Sequence, residues 1–368
     1  MAEYFAGLMS GTSMDALDAV LVDFSETPLR LVAHLSRPLP TDLRQQLLSL
    51  TSVDGNELER MAQADSHFGR FCAETVRELL ANSGIAHAQV AAIGSHGQTI
   101  RHAPNASPPY TVQIGDGNTI AQDTGITTVA DFRRRDMVVG GQGAPLVPAF
   151  HAALYRSQHI ERVVLNIGGM ANISILPADK EAPVSGFDTG PGNVLLDEWI
   201  QHHRKEPYDS DGSWARSGAI NVPLLKSLLS DPYFSLPPPK STGREHFNLN
   251  WLQEHILEPI PAEDVQATLL ELTALSIAQA VQTYAAESSE LLICGGGAYN
   301  GFLLERLSHH LQQCRIHSTE EYGTEPRWVE AIAFAWLARQ TLHKLPGNLP
   351  SVTGASEPVV LGAIYPGR

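Results

Sequence analysis

The chain has few cysteines and no long apolar run. Its cysteines, Cys72, Cys294 and Cys314, are widely spaced and form no Cys-x-x-Cys pair, which argues against a disulfide framework and a zinc site. No run of about 18 apolar residues could cross a bilayer, and the N-terminus lacks the basic start and apolar core of a signal peptide. These absences predict a protein of the reducing cytoplasm with no membrane partner.

Basic side chains are scarce relative to acidic ones. Lysine and arginine number 25 against 40 aspartates and glutamates, so the formal net charge is −15. Such a chain repels nucleic acids and anionic membrane surfaces. We therefore expect no nucleic-acid partner.

The size and composition indicate a globular protein. At 368 residues with 43% hydrophobic content, the chain is long enough for two domains of ordinary size. Strand and helix patterns alternate along most of it, which is typical of an α/β architecture. A long helix is predicted over 56–82, and Cys72 falls on its apolar face, so we interpret Cys72 as a core residue rather than a reactive thiol.

The chain also lacks the P-loop pattern Gly-x-x-x-x-Gly-Lys-Ser/Thr. In its place, residues 7–18 read Gly-Leu-Met-Ser-Gly-Thr-Ser-Met-Asp-Ala-Leu-Asp and lead into the apolar strand 19–24. Glycine and small hydroxyl residues permit a tight turn whose N–H groups point at an anion. The segment is therefore either a phosphate-binding turn or an ordinary glycine-rich hairpin.

The second half of the chain begins with a similar unit. Residues 163–176 read as strand, glycine turn and strand, which repeats the opening pattern. Two glycine-cornered hairpins, each followed by α/β units, suggest an internal duplication.

A carboxylate follows shortly afterwards, in Gly186-Phe-Asp-Thr-Gly-Pro-Gly-Asn193. An apolar stretch, an Asp, a Gly/Pro turn and a helix place Asp188 at the end of a strand, where open α/β sheets bind ligands. Asn193 is a plausible N-cap, and free N–H groups at that helix start would favour a phosphate oxygen. Asp188 is therefore a catalytic candidate, or an Asp that bonds only its own turn.

A third glycine-rich turn ends the buried strand 291–294. Gly295, Gly296 and Gly297 would admit a flat ring or a phosphate chain against bare backbone, which suits a nucleotide.

These segments together resemble the anhydro-N-acetylmuramic acid kinase family. The resemblance spans nearly the whole chain and rests on five motifs in order: Gly-Leu-Met-Ser-Gly-Thr-Ser-Met-Asp at 7–15, Ser-His-Gly-Gln-Thr at 95–99, Asn-Ile-Gly-Gly-Met-Ala-Asn at 166–172, Gly-Phe-Asp-Thr-Gly-Pro-Gly-Asn at 186–193 and Cys-Gly-Gly-Gly at 294–297.

The resemblance implies a fold and an activity. The fold is α/β, with two duplicated RNase H-like domains of the actin/Hsp70/sugar-kinase superfamily and an ATP cleft between them. The activity is ATP-dependent opening of 1,6-anhydro-N-acetylmuramic acid by water with phosphorylation of O6, which yields N-acetylmuramic acid 6-phosphate and ADP in cell-wall recycling. The resemblance also implies a homodimer.

The resemblance assigns roles to individual residues. Asp188 is the base that activates water, and Mg²⁺ is oriented by Asp15 or Asp18. Ala16 stands where the family usually has glycine, so the local turn would differ if that position needs a positive φ. The residues expected to contact ATP are Gly11, Thr12, Ser13, Met14, Asp15, Asp18, Gly168, Gly169, Gly190, Gly192, Asn193, Gly295, Gly296, Gly297 and Asn300.

The sugar carries a lactyl carboxylate, for which an arginine is the best partner. Asp131 and Arg135 are expected to bind the sugar, whereas Arg133 and Arg134 are interpreted as a solvated charge run. His96 and Gln98 follow a buried strand and could hydrogen-bond sugar hydroxyls, although a lone histidine is more often structural. Glu330 is a further sugar-binding candidate by family position.

The domain limits follow from the same superfamily. We predict a first actin-like ATPase domain over 1–135 plus 345–368 and a second over 136–344. The segment 237–244, rich in proline, is predicted to be a rigid surface loop near the cleft or an interface.

Two other functions are compatible with the motifs. One is a phosphotransferase of the same fold that acts on another sugar or an acid. The other is an ATP-switched binding module without catalysis, which the absence of an added peptide-binding domain disfavours.

Overall fold

The computed structural model describes residues 2–11, 14–51 and 55–368. The chain folds into two compact units. The first unit comprises Met1–Phe150 and Trp328–Arg368, and the second comprises His151–Arg327.

Strands and helices alternate through both units. The strands are β1 (Tyr4–Met9), β2 (Ala16–Asp23), β3 (Arg30–Pro38), β4 (Val90–Ser95), β5 (Gln98–Ala103), β6 (Tyr110–Ile114), β7 (Thr128–Ala130), β8 (Arg162–Ile167), β9 (Met170–Leu176), β10 (Ser185–Pro191), β11 (Glu290–Cys294), β12 (Arg315–Ser318) and β13 (Ala363–Tyr365). The α-helices are α1 (Thr41–Ser49), α2 (Glu57–Ser83), α3 (Gly117–Thr124), α4 (Arg134–Val138), α5 (Val147–Tyr155), α6 (Val194–Arg204), α7 (Ser213–Ser217), α8 (Val222–Leu229), α9 (Pro232–Ser235), α10 (Leu249–His255), α11 (Ala262–Tyr284), α12 (Gly301–His310), α13 (Val329–Leu342) and α14 (Pro350–Thr353). Short 3-10 turns cover His87–Gln89, Ser210–Gly212, Gly296–Tyr299, Thr319–Tyr322 and Pro326–Trp328.

The five-stranded main sheet of the second unit repeats the topology of five of the six strands in the main sheet of the first unit, and β13 is the added strand. In the first unit the order is β13-β7-β4-β1-β2-β3, and in the second it is β10-β9-β8-β11-β12. Each sheet starts with an antiparallel meander, β1-β2-β3 or β8-β9-β10, whose first strand pairs in parallel with a later one, β4 or β11. The repeated arrangement confirms the predicted α/β class and the duplication.

The predicted helix over 56–82 is confirmed as α2, which begins after Asn56 and ends at Ser83. Its inner face contains Phe68 and Cys72, both with no exposed surface. Burial raises the pKa of the Cys72 thiol far above its ordinary value, as expected for a core cysteine.

Helix α13 packs on the sheet of the first unit through two glycines. A Cβ added at Gly7 would collide with the Ala331 carbonyl oxygen, and one at Gly94 with that of Phe334, so only glycine permits this close approach. This packing places 328–344 in the first unit, although these residues were predicted to belong to the second domain. The segment 136–150 differs in the same way, and the limits of the two actin-like ATPase domains stay a prediction.

No helix among the described residues combines the length and apolarity needed to span a membrane.

Candidate active site

The turn after β1 is held by the side chain of Gln98. Ser10 Oγ donates to Gln98 Oε1 at 2.7 Å, and Gln98 Nε2 donates to the Gly11 carbonyl oxygen at 3.3 Å. The Met14 N–H donates to the same oxygen at 3.2 Å, and Met14 is buried with a φ of 53°. The Gln98 carboxamide therefore bonds to the predicted phosphate-binding turn, and its predicted contact with sugar stays a prediction. Thr12 and Ser13 lie outside the described residues.

The two candidate acids for Mg²⁺ differ in their surroundings. Asp15 is exposed and forms a 3.0 Å ion pair with Arg44, whose Nε also donates to the Met14 carbonyl oxygen at 3.1 Å. Asp18 lies half-buried on β2. Ala16 is the first residue of β2 and is not among the residues with positive φ, so this position does not require glycine; the left-handed conformation falls on Met14 instead.

His96 accepts a hydrogen bond from an arginine. Its Nε2 receives the Arg133 Nη2 donor at 2.8 Å, and its ring lies 4.8 Å from that of Phe334. Burial, together with the positive charge of Arg133, lowers the pKa of His96 to about 3. Because a neutral imidazole must accept at Nε2 here, its proton resides on Nδ1. His96 therefore positions Arg133.

Arg133 and Arg134, which were interpreted as a solvated charge run, have different surroundings in the structure. Arg133 is half-buried, and its Nη1 also donates to the Gly143 carbonyl oxygen at 2.8 Å. Arg134 is exposed and lies 3.5 Å from Asp131, which has a φ of 58° and a pKa raised by burial. Arg135 is exposed and donates to the Val360 carbonyl oxygen at 3.1 Å. The solvated interpretation was therefore wrong for Arg133.

The buried carboxylate of Asp136 fixes the loop beside Arg133. This role of Asp136 was not predicted from the sequence. Asp136 has no exposed surface, and its Oδ2 accepts from the Gly143 N–H at 2.8 Å. Its Oδ1 accepts from Asn348 Nδ2 and Thr353 Oγ1, both at 2.7 Å. The glycine pattern Gly-Gly-Gln-Gly at 140–143 was the available signal. Asp136 thus fixes the carbonyl group that holds Arg133.

Glu330 lies half-buried on the first turn of α13 in the first unit. Its predicted contact with the sugar stays a prediction.

In the second unit the hairpin turn and a helix start bind each other. The Gly168 carbonyl oxygen accepts from the Asn193 N–H at 2.8 Å, and that of Gly169 accepts from Gly192 and Val194 at 2.8 and 3.1 Å. Asn193 is the N-cap of α6, as predicted, but its Nδ2 donates to the Ile167 carbonyl oxygen at 3.2 Å and it makes no side-chain cap. The prediction of free N–H groups at this helix start was therefore wrong for Gly192, Asn193 and Val194, whose N–H groups all donate to the hairpin turn.

Asp188 lies at a β-bulge. It faces Asn172 on β9, the next paired residue is Gly190, and Thr189 is the extra residue. Such bulges redirect side chains and are frequent beside active sites. Gly190 has a φ of 151°, and an added Cβ would lie 2.8 Å from the Phe234 ring, so glycine is required there for packing.

The proline-rich segment 237–244 folds against Asp188. The Thr242 N–H donates to Asp188 Oδ2 at 3.0 Å, and the Asp188 N–H donates to the Lys240 carbonyl oxygen at 3.1 Å. Tyr233 Oη donates to the Asp188 carbonyl oxygen at 2.7 Å. The side chain and the backbone of Asp188 therefore both bond to residues 45 to 54 positions further along the chain, which the sequence did not reveal.

The three glycines after β11 have different surroundings. A Cβ added at Gly295 would collide with Asn166 Oδ1, and one at Gly297 with the Ile167 side chain, whereas Gly296 is exposed and open. Asn300 is the N-cap of α12, where its Oδ1 accepts from the Leu303 N–H at 3.0 Å. This bond explains Asn300 without a nucleotide.

Within the described residues, no group of three or more His, Cys, Asp or Glu side chains is arranged to hold a metal ion.

Comparisons with known proteins cover nearly the whole chain. Residues 3–367 match the family described as anhydro-N-acetylmuramic acid kinase. A protein of that name from Coxiella burnetii (strain Dugway 5J108-111) is 53% identical over 100% of this chain and 98% of its own length. One from Saccharophagus degradans is 52% identical over 98% of each chain. Among solved structures, component A of (R)-2-hydroxyglutaryl-CoA dehydratase from Acidaminococcus fermentans aligns over 90% of this chain and 96% of its own, with 11% identity and a TM-score of 0.49. On the full-length match and the sequence identities, the chain belongs to the anhydro-N-acetylmuramic acid kinase family.

Proposed function

We propose that this chain, a sugar kinase of that family, opens 1,6-anhydro-N-acetylmuramic acid with water and transfers the γ-phosphoryl group of ATP to O6. The products are N-acetylmuramic acid 6-phosphate and ADP, as cell-wall recycling requires. The observation that carries the proposal is Asp188, a half-buried carboxylate at a bulge whose Oδ2 accepts from the Thr242 N–H.

The step needs one base. Water forms a bond to the anomeric carbon as the bond from that carbon to O6 breaks, and Asp188 accepts the proton of the water. O6 forms its bond to the γ-phosphorus, and the bond from that phosphorus to the leaving ADP oxygen breaks. Because the phosphoryl group captures O6, no acid is needed for the leaving oxygen, unlike in inverting glycosidases.

The nucleotide is proposed to bind at residues 11–14, Gly168, Gly169 and Gly296. Mg²⁺ would be oriented by Asp15, whose carboxylate is paired with Arg44, or by Asp18, which lies half-buried on β2. A bound Mg²⁺ would neutralise phosphate charge, which is the main requirement of phosphoryl transfer.

Arg133 replaces Arg135 as the proposed partner of the lactyl carboxylate. His96 and the Gly143 carbonyl group fix its guanidinium, which can bind a carboxylate through two parallel N–H donors. Arg133→Lys keeps the charge and loses this fork, so we expect KM for the anhydro sugar to rise about tenfold. Arg135→Lys is the matched control and should leave this KM unchanged. A rise in KM for Arg135→Lys but not for Arg133→Lys would make Arg135 the partner of the lactyl carboxylate.

We also propose a cytoplasmic homodimer without nucleic-acid or membrane partners. The family resemblance supports the dimer, and the net charge of −15 supports the lack of anionic partners. Light scattering would measure the mass in solution.

The central test is Asp188→Asn. The new carboxamide oxygen can still accept the Thr242 N–H, so the fold should persist while the base is lost. We expect turnover of the anhydro sugar to fall by a factor of about 100 to 10,000 with ATP binding retained. Asp179→Asn, an exposed aspartate of the same unit, is the control.

Turnover in ¹⁸O-labelled water defines the reaction. We expect the label at the anomeric hydroxyl and none in the phosphate. Label in the phosphate would contradict the mechanism. Phosphorylation of an ordinary hexose but not of the anhydro sugar would favour another phosphotransferase of this fold, and slow ATP hydrolysis with no sugar acceptor would favour a binding module.

A further inference from the structure

Asp188 belongs to a closed ring of hydrogen bonds with two residues that the proposed reaction does not yet use. The Asp188 N–H donates to the Lys240 carbonyl oxygen at 3.1 Å, and Lys240 Nζ donates to the Tyr233 carbonyl oxygen at 3.1 Å. Tyr233 Oη closes the ring by donating to the Asp188 carbonyl oxygen at 2.7 Å. Within the ring each residue donates one hydrogen bond and accepts one, so the ring fixes the backbone of Asp188 through both its N–H and its carbonyl group.

The Lys240 ammonium group is held over an aromatic surface. It also donates to the Phe234 carbonyl oxygen at 3.3 Å and lies 4.7 Å from the centre of the Tyr233 ring. Burial lowers the pKa of Lys240, and the charge of Asp188 opposes that shift. The charge of Lys240 therefore acts on Asp188 in return.

Other titratable groups nearby are already paired. Burial, and then the charge of Asp188, raise the pKa of Tyr233 far above its usual range, so Tyr233 remains a donor. The His246 ring lies 5.9 Å from that of Tyr233, and its Nε2 bonds to Asp231 Oδ2 at 2.9 Å. Arg244, two residues beyond Thr242, lies 3.6 Å from Glu198. Lys240 is thus the cation that the ring brings to Asp188.

We propose that Tyr233 and Lys240 are positioning residues of the reaction, which hold the Asp188 backbone so that its carboxylate stays against the Thr242 N–H. The Lys240 ammonium also favours the ionised form of the base. The inference rests on the proposed function, because it takes Asp188 as the base.

Tyr233→Phe tests the positioning alone. The change removes one hydroxyl and keeps the ring, so the fold should survive. We expect kcat to fall about tenfold, because a small displacement of a reacting group is costly, with KM for ATP unchanged. The acid limb of the pH–kcat profile should stay in place, since no charge is removed. Tyr208→Phe, at a tyrosine that is 60% exposed, is the control.

Lys240→Met tests the charge. The loss of the cation raises the pKa of a neighbouring carboxylate, and the base must be deprotonated to act. On acidification, activity should therefore begin to fall at a higher pH than in the unchanged protein. We expect the acid limb to move upwards by up to about 1 pH unit and kcat to fall about tenfold or more. Lys240→Arg keeps the charge and should keep the limb within a few tenths of a unit. Lys226→Met, at an exposed lysine of the same unit, is the control.

The outcomes separate this inference from the proposed function. If both Tyr233→Phe and Lys240→Met keep the native kcat and pH profile while Asp188→Asn is inactive, the positioning role of Tyr233 and Lys240 is refuted. The role of Asp188 as the base would then still stand. Native turnover in Asp188→Asn would overturn the proposed function itself. If Lys240→Met does not fold, Tyr233→Phe decides the positioning role, and an upward move of the acid limb in Lys240→Arg would refute the charge role.

Discussion

The β1–β2 and β8–β9 hairpins occupy the same place in the five-strand arrangement that the two sheets share, yet their turns are held differently. In both hairpins, carbonyl oxygens of the glycine turn accept hydrogen bonds from other groups of the protein. The Gly11 carbonyl oxygen accepts from the Gln98 side chain as well as from the Met14 N–H within the turn itself, whereas those of Gly168 and Gly169 accept from backbone N–H groups at the start of α6.

The difference shows that duplicated topology does not duplicate the supports of a site. A turn held by backbone N–H groups does not depend on the identity of a side chain. It is disturbed when a substitution adds atoms that collide with the bonded backbone. A turn to which a buried carboxamide bonds depends also on that side chain, because buried polar groups must keep their partners. The second turn should therefore be sensitive to added volume and the first to loss of a hydrogen bond.

Of the substitutions in the two turns, Gly192→Ala is expected to have the largest effect, a loss of stability. The added Cβ would collide with the Gly168 carbonyl oxygen, so either the turn or the helix start must move. Overpacking of this kind typically costs about 1–3 kcal/mol of stability. Urea unfolding followed by tryptophan fluorescence would measure the loss.

Gly168→Ala is the matched control for that substitution. Its Cβ would meet only the Met170 carbonyl oxygen, at 3.6 Å, which is an ordinary contact. We expect a change of about 0.5 kcal/mol or less. Equal losses in the two variants would mean that the contact between hairpin and helix does not hold this turn.

Local sequence signals predicted the framework well. The apolar periodicity of α2 and the glycine-cornered hairpins depend on neighbours in sequence, and the structure contains both. Even the cap at Asn300 had a local signal, an Asn before a helix, although that residue was predicted to contact the nucleotide.

Contacts between distant residues could not be predicted. Arg133 and Arg135 are equivalent as a charge pattern, and only the fold brings His96, which is 37 residues away, to one of them. Likewise, the prolines of 237–244 indicated a loop, but not that the Thr242 N–H would reach Asp188, 54 residues earlier. Such partners depend on tertiary packing, which has no local signature.

A smaller effect, on binding rather than stability, is expected from Gln98→Leu. Leucine preserves most of the volume but loses the bonds to Ser10 and Gly11, so the first turn should loosen. We expect KM for ATP to rise about fivefold to tenfold, because a hydrogen bond contributes about 1 kcal/mol. Gln113→Leu removes bonds to Thr99 and Thr111 in the neighbouring β-hairpin and should leave this value unchanged. A rise in KM for the anhydro sugar alone would instead make Gln98 a sugar ligand, and the two turns would no longer differ as described.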